Sequence, residues 1–462
     1  MAALPHGAVA IASAVRRGEV SARAVLEARL TRIEALDPRL NAFTAILADR
    51  ARHEADAIDA LVAAGRDPGP LAGVPFGVKD NYDVAGRTTL AGSIVNRGLP
   101  AASADAVLAA RMRAAGAVLV GTQNMDEFAY GFTTENAHYG PTHNPRDLAR
   151  SAGGSSGGCA AAVAAGLVDL ALGTDTNGSI RVPASFCGIF GLKPTYGRLP
   201  RTGTFPFVHE LDHLGPFARS AADLALVYDC LQGHDAGDFA CADRPADPAS
   251  PGLAELPTRT RVAVLDGWFH DMAEDDARAA VAKVAAALGA TDRVTLPGAE
   301  KARAAAFLLT MASGANLHRE ALMTRAGDYD PATRDRLLAG LLAPADPVQQ
   351  AQRYRHVFQQ EVRAVFETHD LLLAPATPCT APLLGQPTIR VAGTDLPTRA
   401  NVGILTQPIS FIGLPVVAVP VSAGALPIAV QIIARPWAEA LALQAAAKLE
   451  RGGVAGLEMA EP

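Results

Sequence analysis

The spacing of apolar positions divides the chain into alternating helices and short strands. Leu26, Leu30 and Ile33 recur four and three residues apart behind Ser21, which predicts an amphipathic helix over 21–36, capped by Ser21 and ending before Pro38. Residues 71–78 and 117–121 are valine-rich apolar runs bounded by glycine, and 105–115 between them has helical spacing, the alternation of an α/β layered core. From 151 to 203 the chain is dense in Gly, Ser, Thr and small apolar residues, as where backbone approaches something closely. Residues 231–257, rich in Pro, Asp and Gly, read as a connection between two halves. RVAVLDGWF (261–269) predicts a strand, helical sequence follows to about 366, and DLLLAPATP, LPVVAVPV and LPIAVQIIA supply three more strand-like runs. The expected fold class is α/β, a central mixed sheet covered by helices. Its regions are helical (about 1–65), core (66–230), connection (231–257) and C-terminal half (258–462).

Composition narrows the functional classes. With 49% hydrophobic and 19% charged residues, the 462-residue chain can bury a sizeable core. A net charge of -6 without long single-sign runs gives no footprint for nucleic acid. The five cysteines have neither disulfide-like nor metal-like spacing and read as thiols in a reducing compartment. In MAALPHGAVAIASAVRR the basic pair follows the weak apolar stretch, so no signal peptide is expected. The longest apolar run, 159–168, is stopped by Asp169 and is too short to span a bilayer. A soluble cytoplasmic protein is the expectation.

Three segments carry candidate chemistry: GVPFGVKDN (73–81), GGSSGG (153–158) and GTDTNGSIRVP (173–183). Lys79 ends an apolar run, where burial disfavours the ammonium and yields a neutral amine able to act as a base. Ser179 follows Asn177 and Gly178, where a tight turn can point successive backbone N–H groups at one spot, as an oxyanion requires. GGSSGG offers two hydroxyls, Ser155 and Ser156, and a serine there can relay a proton between a lysine and a nucleophile. Read singly, each has a plain alternative: a solvated lysine, an ordinary glycine turn, a flexible loop.

Together, in this order and with Ser155 and Ser179 standing 24 positions apart, the segments resemble the amidase signature family. FCGIFGLKPTYG (186–197), GPFARS (215–220), DLLLAPATP and LPIAVQ extend the resemblance over nearly the whole chain. It implies one large α/β/α domain, no metal or organic cofactor, a cis peptide before Ser155, and a relay in which Lys79 takes the proton of Ser155 and Ser155 that of Ser179. Backbone N–H groups of Thr176, Asn177, Gly178 and Ser179 would form the oxyanion hole, each worth on the order of 3 kcal/mol in the transition state. Ser156 would support the relay, and Asp175 and Arg181 would pair beside the nucleophile. The family usually carries two glycines before the nucleophile, and Asn177 departs from that. It must take a positive φ or place its side chain in the pocket.

Other readings use overlapping residues. HELDH (209–213) satisfies a two-histidine zinc pattern, but Pro206 and Gly215-Pro216 leave too short a segment for the helix it requires. GGSSG satisfies the nucleophile-elbow pattern of α/β-hydrolases, which needs a buried strand before it, and THNPRDLARSA is polar. The glutamine-hydrolysing component of tRNA-dependent amidotransferases, other small-amide amidases and a non-catalytic binding protein on the same scaffold are further alternatives. Within the family, Asn177-Gly178 and Asp212-His213 are most similar to the branch that hydrolyses 1-carboxybiuret to urea-1,3-dicarboxylate and ammonia. That resemblance implies homodimerisation and a small helical accessory subunit, together a two-plus-two assembly, with no nucleic acid or membrane partner. An anionic substrate calls for a cationic contact, for which Arg336 and Arg319 are candidates, with His213 shaping the pocket.

Overall fold

The computed structural model describes residues 4–462. Eleven strands form one sheet: β1 (Phe43–Ile46), β2 (Pro75–Lys79), β3 (Val118–Gln123), β4 (Leu170–Asp175), β5 (Phe190–Lys193), β6 (His213–Ala218), β7 (Val262–Asp266), β8 (Asp292–Thr295), β9 (Leu371–Pro375), β10 (Val416–Ala423) and β11 (Leu426–Ala434). Their spatial order is β1-β3-β2-β4-β6-β5-β10-β11-β9-β7-β8. The sheet is mixed: β2 runs parallel to both β3 and β4, whereas β6 runs antiparallel to β4 and β5, and β10 antiparallel to β11. Strands from both halves of the chain share this sheet, joined where β5 pairs with β10.

The central strands are buried along their whole length, as sheets covered on both faces require. Helices supply the cover: α1 (Ala22–Leu40), α2 (Gly157–Ala164), α3 (Arg181–Cys187), α4 (Asp275–Leu288), α5 (Ala299–Arg325), α6 (Pro331–Leu341) and α7 (Ala345–Thr368), with others. The apolar run at 159–168 is mostly the buried helix α2, followed by a turn. Among the described residues no helix is long and apolar enough to cross a membrane.

The strands expected at 71–78 and 117–121 and the helix at 105–115 are present with shifted ends. Three expectations need correction. Helix α1 has Ser21 as its cap, accepting from Ala24 N at 3.0 Å, but it runs through Pro38 to Leu40. Proline is tolerated in this last turn because the end is fixed from outside: Leu40 is buried, Asn41 takes the left-handed conformation and donates to Asp37 O, and Asp37 Oδ1 accepts from Ala42 N at 2.8 Å. In 261–269 only Val262–Asp266 is strand, since Trp268 and Phe269 open a short helix. The following sequence also contains edge strand β8, short and charged, which hydrophobic periodicity does not reveal.

A buried ion cluster ties the first helices to the sheet. Asp169, just before β4, receives Arg29 Nε at 3.0 Å and Arg219 at 2.6 Å, and also accepts from Gly7 N at 3.1 Å. Asp169→Ala strands both guanidiniums without their carboxylate. Urea unfolding should show a loss of about 3–5 kcal/mol, and a loss below about 1 kcal/mol, the level of a surface pair, would assign the cluster no structural weight.

Candidate active site

The three segments singled out in the sequence meet at the C-terminal ends of β2 and β4. Lys79 is the last residue of β2 and Thr174 the penultimate residue of β4, its parallel neighbour. The Lys79 Nζ lies 2.7 Å from Ser155 Oγ and 2.7 Å from Thr174 Oγ1. Lys79 is fully buried, and burial pulls its ammonium down from 10.5 to about 8, with the acidic groups Asp126, Asp212 and Asp175 acting in the opposite direction.

Ser155 sits in the buried turn before α2, and the Gly154–Ser155 peptide is cis. The GGSSGG segment is therefore a packed element, in contrast to the flexible-loop reading. A Cβ at Gly154 would lie 2.1 Å from Asp126 Oδ2 and 2.7 Å from Thr133 N, so only glycine fits. Asp126 organises this wall: its N–H donates to Ser155 O at 3.2 Å, and its Oδ2 accepts from Thr133 N and Thr134 N at 3.2 and 3.0 Å. Ser156 Oγ donates to Thr174 O at 3.2 Å, which steadies the strand carrying Thr174. The strand before the segment, Asp147–Ser151, belongs to a separate two-stranded sheet, not to the central sheet as an elbow would need.

Between β4 and α3 the chain makes the turn that holds Ser179. The N–H groups of Thr176, Asn177, Gly178 and Ser179 donate to no protein acceptor among the described residues, so the turn that carries Ser179 holds four successive free donors. Gly178 has φ 138°, and a Cβ there would meet Thr406 Oγ1 at 2.1 Å. Asn177 keeps negative φ and instead uses its side chain, donating from Nδ2 to Thr310 Oγ1 at 2.7 Å. Asp175 and Arg181 close the turn from beneath through contacts of 2.9 Å from both Nε and Nη2. Burial alone would raise the Asp175 carboxyl, but Arg181 holds it far below the usual carboxylate range.

Ser179 opens onto a narrow cavity lined also by Tyr130, Asn177, Thr310, Arg336 and Gln407. Arg336, on α6, donates from Nε to Ala332 O at 2.8 Å and from Nη2 to Tyr130 O, and its guanidinium stacks 4.2 Å over the Tyr130 ring. Its Nη1 has no hydrogen-bond partner among the described residues. The other two substrate-contact candidates are elsewhere. Arg319 is exposed on α5, because the helical period turns Ala315, His318 and Leu322 inward and leaves 319 outside. His213 is buried at the start of β6, its Nδ1 directed at Leu211 O and Asp175 O at 2.6 and 3.1 Å, and does not line the cavity. Burial, reinforced by Lys193, drives its pKa well below 6.5. HELDH forms a turn entering β6, so its two imidazoles do not share a helix face.

Sequence reasoning missed Thr174, Asp126 and Thr310. Thr174 was legible in principle, since it lies in the GTDTNGSIR segment five positions before Ser179. Thr310 and Asp126 carry no local signal, for tertiary packing alone brings them to the turn.

A family model described as Amidase matches residues 24–443. The chain belongs to the amidase signature family. It is an amidase, a hydrolase of C–N bonds. It is 53% identical to AtzE of Pseudomonas sp. (strain ADP), which is a 1-carboxybiuret hydrolase subunit, covering 97% of this chain and 99% of that one. It is 38% identical to the corresponding glutamyl-tRNA(Gln) amidotransferase chain of Moorella thermoacetica, over 95% and 94% of the two chains. A solved structure described as a vestigial protein complex that reveals the evolutionary origins of an s-triazine catabolic enzyme superposes on this amidase with a TM-score of 0.97 at 52% identity, covering 98% of this chain and all of that one.

The turn of this amidase tolerates no side chain at 178. Gly178→Ala should lower kcat/KM by about 10²-fold or more through displacement of the free N–H cluster, while near-ultraviolet circular dichroism stays native. Activity within about threefold of wild type would show that the turn does not stabilise an oxyanion.

Proposed function

We propose that this amidase hydrolyses a small carboxylated amide, 1-carboxybiuret to urea-1,3-dicarboxylate and ammonia, with Ser179 as nucleophile, Ser155 as proton carrier and Lys79 as base. The observation that carries the reading is the fully buried Lys79 amine 2.7 Å from both Ser155 Oγ and Thr174 Oγ1, on the strand that leads into the Ser179 turn with its four free backbone donors. A neutral amine has two N–H bonds and one lone pair. It donates to Thr174 and accepts the proton of Ser155. Ser155 then takes the proton of Ser179 as that oxygen bonds to the amide carbon and the carbonyl electrons move onto oxygen, where Thr176, Asn177, Gly178 and Ser179 N–H groups receive the charge. Collapse breaks the C–N bond, and the relay returns a proton to the departing nitrogen, leaving an acyl-enzyme on Ser179. Water repeats the sequence in reverse to release the acid.

Substrate choice rests on Arg336 and on the relatives. Arg336 is the cation on the cavity wall, its free Nη1 suits a carboxylate oxygen, and stacking on Tyr130 fixes the plane of the guanidinium. The identity to a 1-carboxybiuret hydrolase subunit over nearly both full lengths supports the particular acid. The similarity to a structure described as a protein complex supports a partner, which we take to be a small helical subunit in a two-plus-two assembly. Five free cysteines fit a cytoplasmic location.

Ammonia release should be measured on 1-carboxybiuret, biuret, allophanate, malonamate and glutamine. Ser179→Ala should lose about 10⁴-fold or more in kcat and Lys79→Ala about 10²–10⁴-fold. Arg336→Ala should raise KM for the anionic substrates while leaving neutral biuret little affected. Glutamine turned over as fast as 1-carboxybiuret would return the chain to the glutamine-hydrolysing amidotransferase components, and an active Ser179→Ala would remove the relay.

The same relay sets a pH dependence. The active form is the neutral amine, populated above its pKa, so kcat/KM should climb with pH and level off above about 8. Below that point it should fall about tenfold per pH unit. A profile flat between pH 6 and about 9 would mean that Lys79 is not the base.

A further inference from the structure

Two buried polar atoms on the cavity wall, the Tyr130 hydroxyl and Asn177 Oδ1, have no partner among the described residues and are unused by the relay, and Asn177 Oδ1 is the one that can only accept. Asn177 is 6% exposed, its Nδ2 donates to Thr310 Oγ1 at 2.7 Å, and its Oδ1 has no partner among the described residues. Thr310 decides which end of the amide faces which way. Its single hydroxyl hydrogen is committed to Ala306 O at 2.8 Å, so its oxygen can only accept, and the amide group turned towards it must be the NH2. The carboxamide oxygen is left as an acceptor with nothing to accept.

The backbone gives Asn177 little freedom to correct this. Its carbonyl accepts from Thr406 Oγ1 at 2.6 Å, and Thr310 is itself buried in helix α5. Asn177, Thr310 and Arg336 line the same cavity as Ser179, whereas Lys79 and Ser155 lie outside it. The nitrogen that receives a proton from Ser155 therefore faces the relay, and the acyl part of the substrate faces Asn177 and Arg336. A buried acceptor facing a methylene gives up water and gains no hydrogen bond. Facing an N–H it is satisfied.

We propose that Asn177 Oδ1, oriented by Thr310, accepts a hydrogen bond from an N–H on the acyl side of the scissile carbonyl, so that the site selects ureido acids over amides with a methylene there. Asn177 is the residue that reads the substrate, and Thr310 is a positioning residue acting through it. The inference rests on the serine relay of the preceding subsection.

Allophanate and malonamate differ at the required place, N–H against CH2 between carboxylate and carboxamide. The ratio of their kcat/KM values should be compared among wild type, Thr310→Val, Thr310→Ser and Asn177→Ala, since a ratio of ratios cancels the intrinsic reactivity of the two substrates. Thr310→Val and Asn177→Ala should each lower the allophanate preference about tenfold or more. Thr310→Ser, which keeps the accepting hydroxyl, should hold it within about threefold of wild type. If the ratio is unchanged in both Thr310→Val and Asn177→Ala while hydrolysis still depends on Ser179, the Asn177 assignment is wrong and the relay stands. If wild type shows no Ser179-dependent hydrolysis of 1-carboxybiuret, allophanate or malonamate, the relay reading falls and the inference falls with it; Ser179-dependent turnover of 1-carboxybiuret and malonamate without allophanate overturns the inference alone.

Discussion

The site depends on one buried carboxylate. Asp175 ends β4 and has no exposed surface; it receives two guanidinium contacts from Arg181 and the N–H groups of Ile180 and Arg181 at 3.2 and 3.4 Å. Arg181 in turn reaches Thr406 O and Gln431 Oε1 at 3.2 and 2.7 Å, and the Ser410 hydroxyl. A buried ion pair is expensive unless its remaining donors and acceptors are satisfied, and here they are. The result is geometric. With both ends of the turn bound to Asp175, residues 176–179 are held out of strand and helix alike, and their N–H groups stay free.

Lys79 is governed by the opposite circumstance. Among the described residues no carboxylate hydrogen-bonds to it, and its two hydrogen-bond partners are hydroxyls, Ser155 and Thr174. Burial thus acts on the ammonium with only distant acids to offset it. Two charged-type residues close together in the fold meet contrasting fates for that reason: Arg181 holds the Asp175 carboxyl far below the usual carboxylate range against burial, whereas burial draws the Lys79 ammonium down to about 8 against the more distant acids. A turn of free donors beside a buried amine is an arrangement suited to acyl transfer.

The two halves of the chain contribute different things. The first provides the segments of the proposed relay, from β2, the turn before α2 and the β4–α3 connection. The second closes the cavity with Thr310 and Arg336 from helices α5 and α6 and with Gln407, and braces the Ser179 turn through Thr406, Ser410 and Gln431. The proposed chemistry thus lies in the first half, whereas the cavity wall is shared, Tyr130 and Asn177 coming from the first half and Thr310, Arg336 and Gln407 from the second.

Periodicity alone was enough for the alternating strands and helices, because apolar spacing reports which face of an element is buried. It failed at Pro38, where tertiary anchoring of Leu40 and Asn41 carried the helix further, and at β8, whose charged edge position leaves no apolar pattern. Lys79, Ser155 and Ser179 were legible because their signal is order and spacing along the chain. Arg336 and Arg319 were indistinguishable in sequence, each an arginine in a helical run, and only packing turned one into the cavity and the other to solvent. The side-chain role of Asn177 was likewise undecided until helix α5, more than a hundred residues later, brought Thr310 to within 2.7 Å of it. Sequence records what a residue can do, whereas hydrogen-bond partners distant in the chain are chosen by the fold.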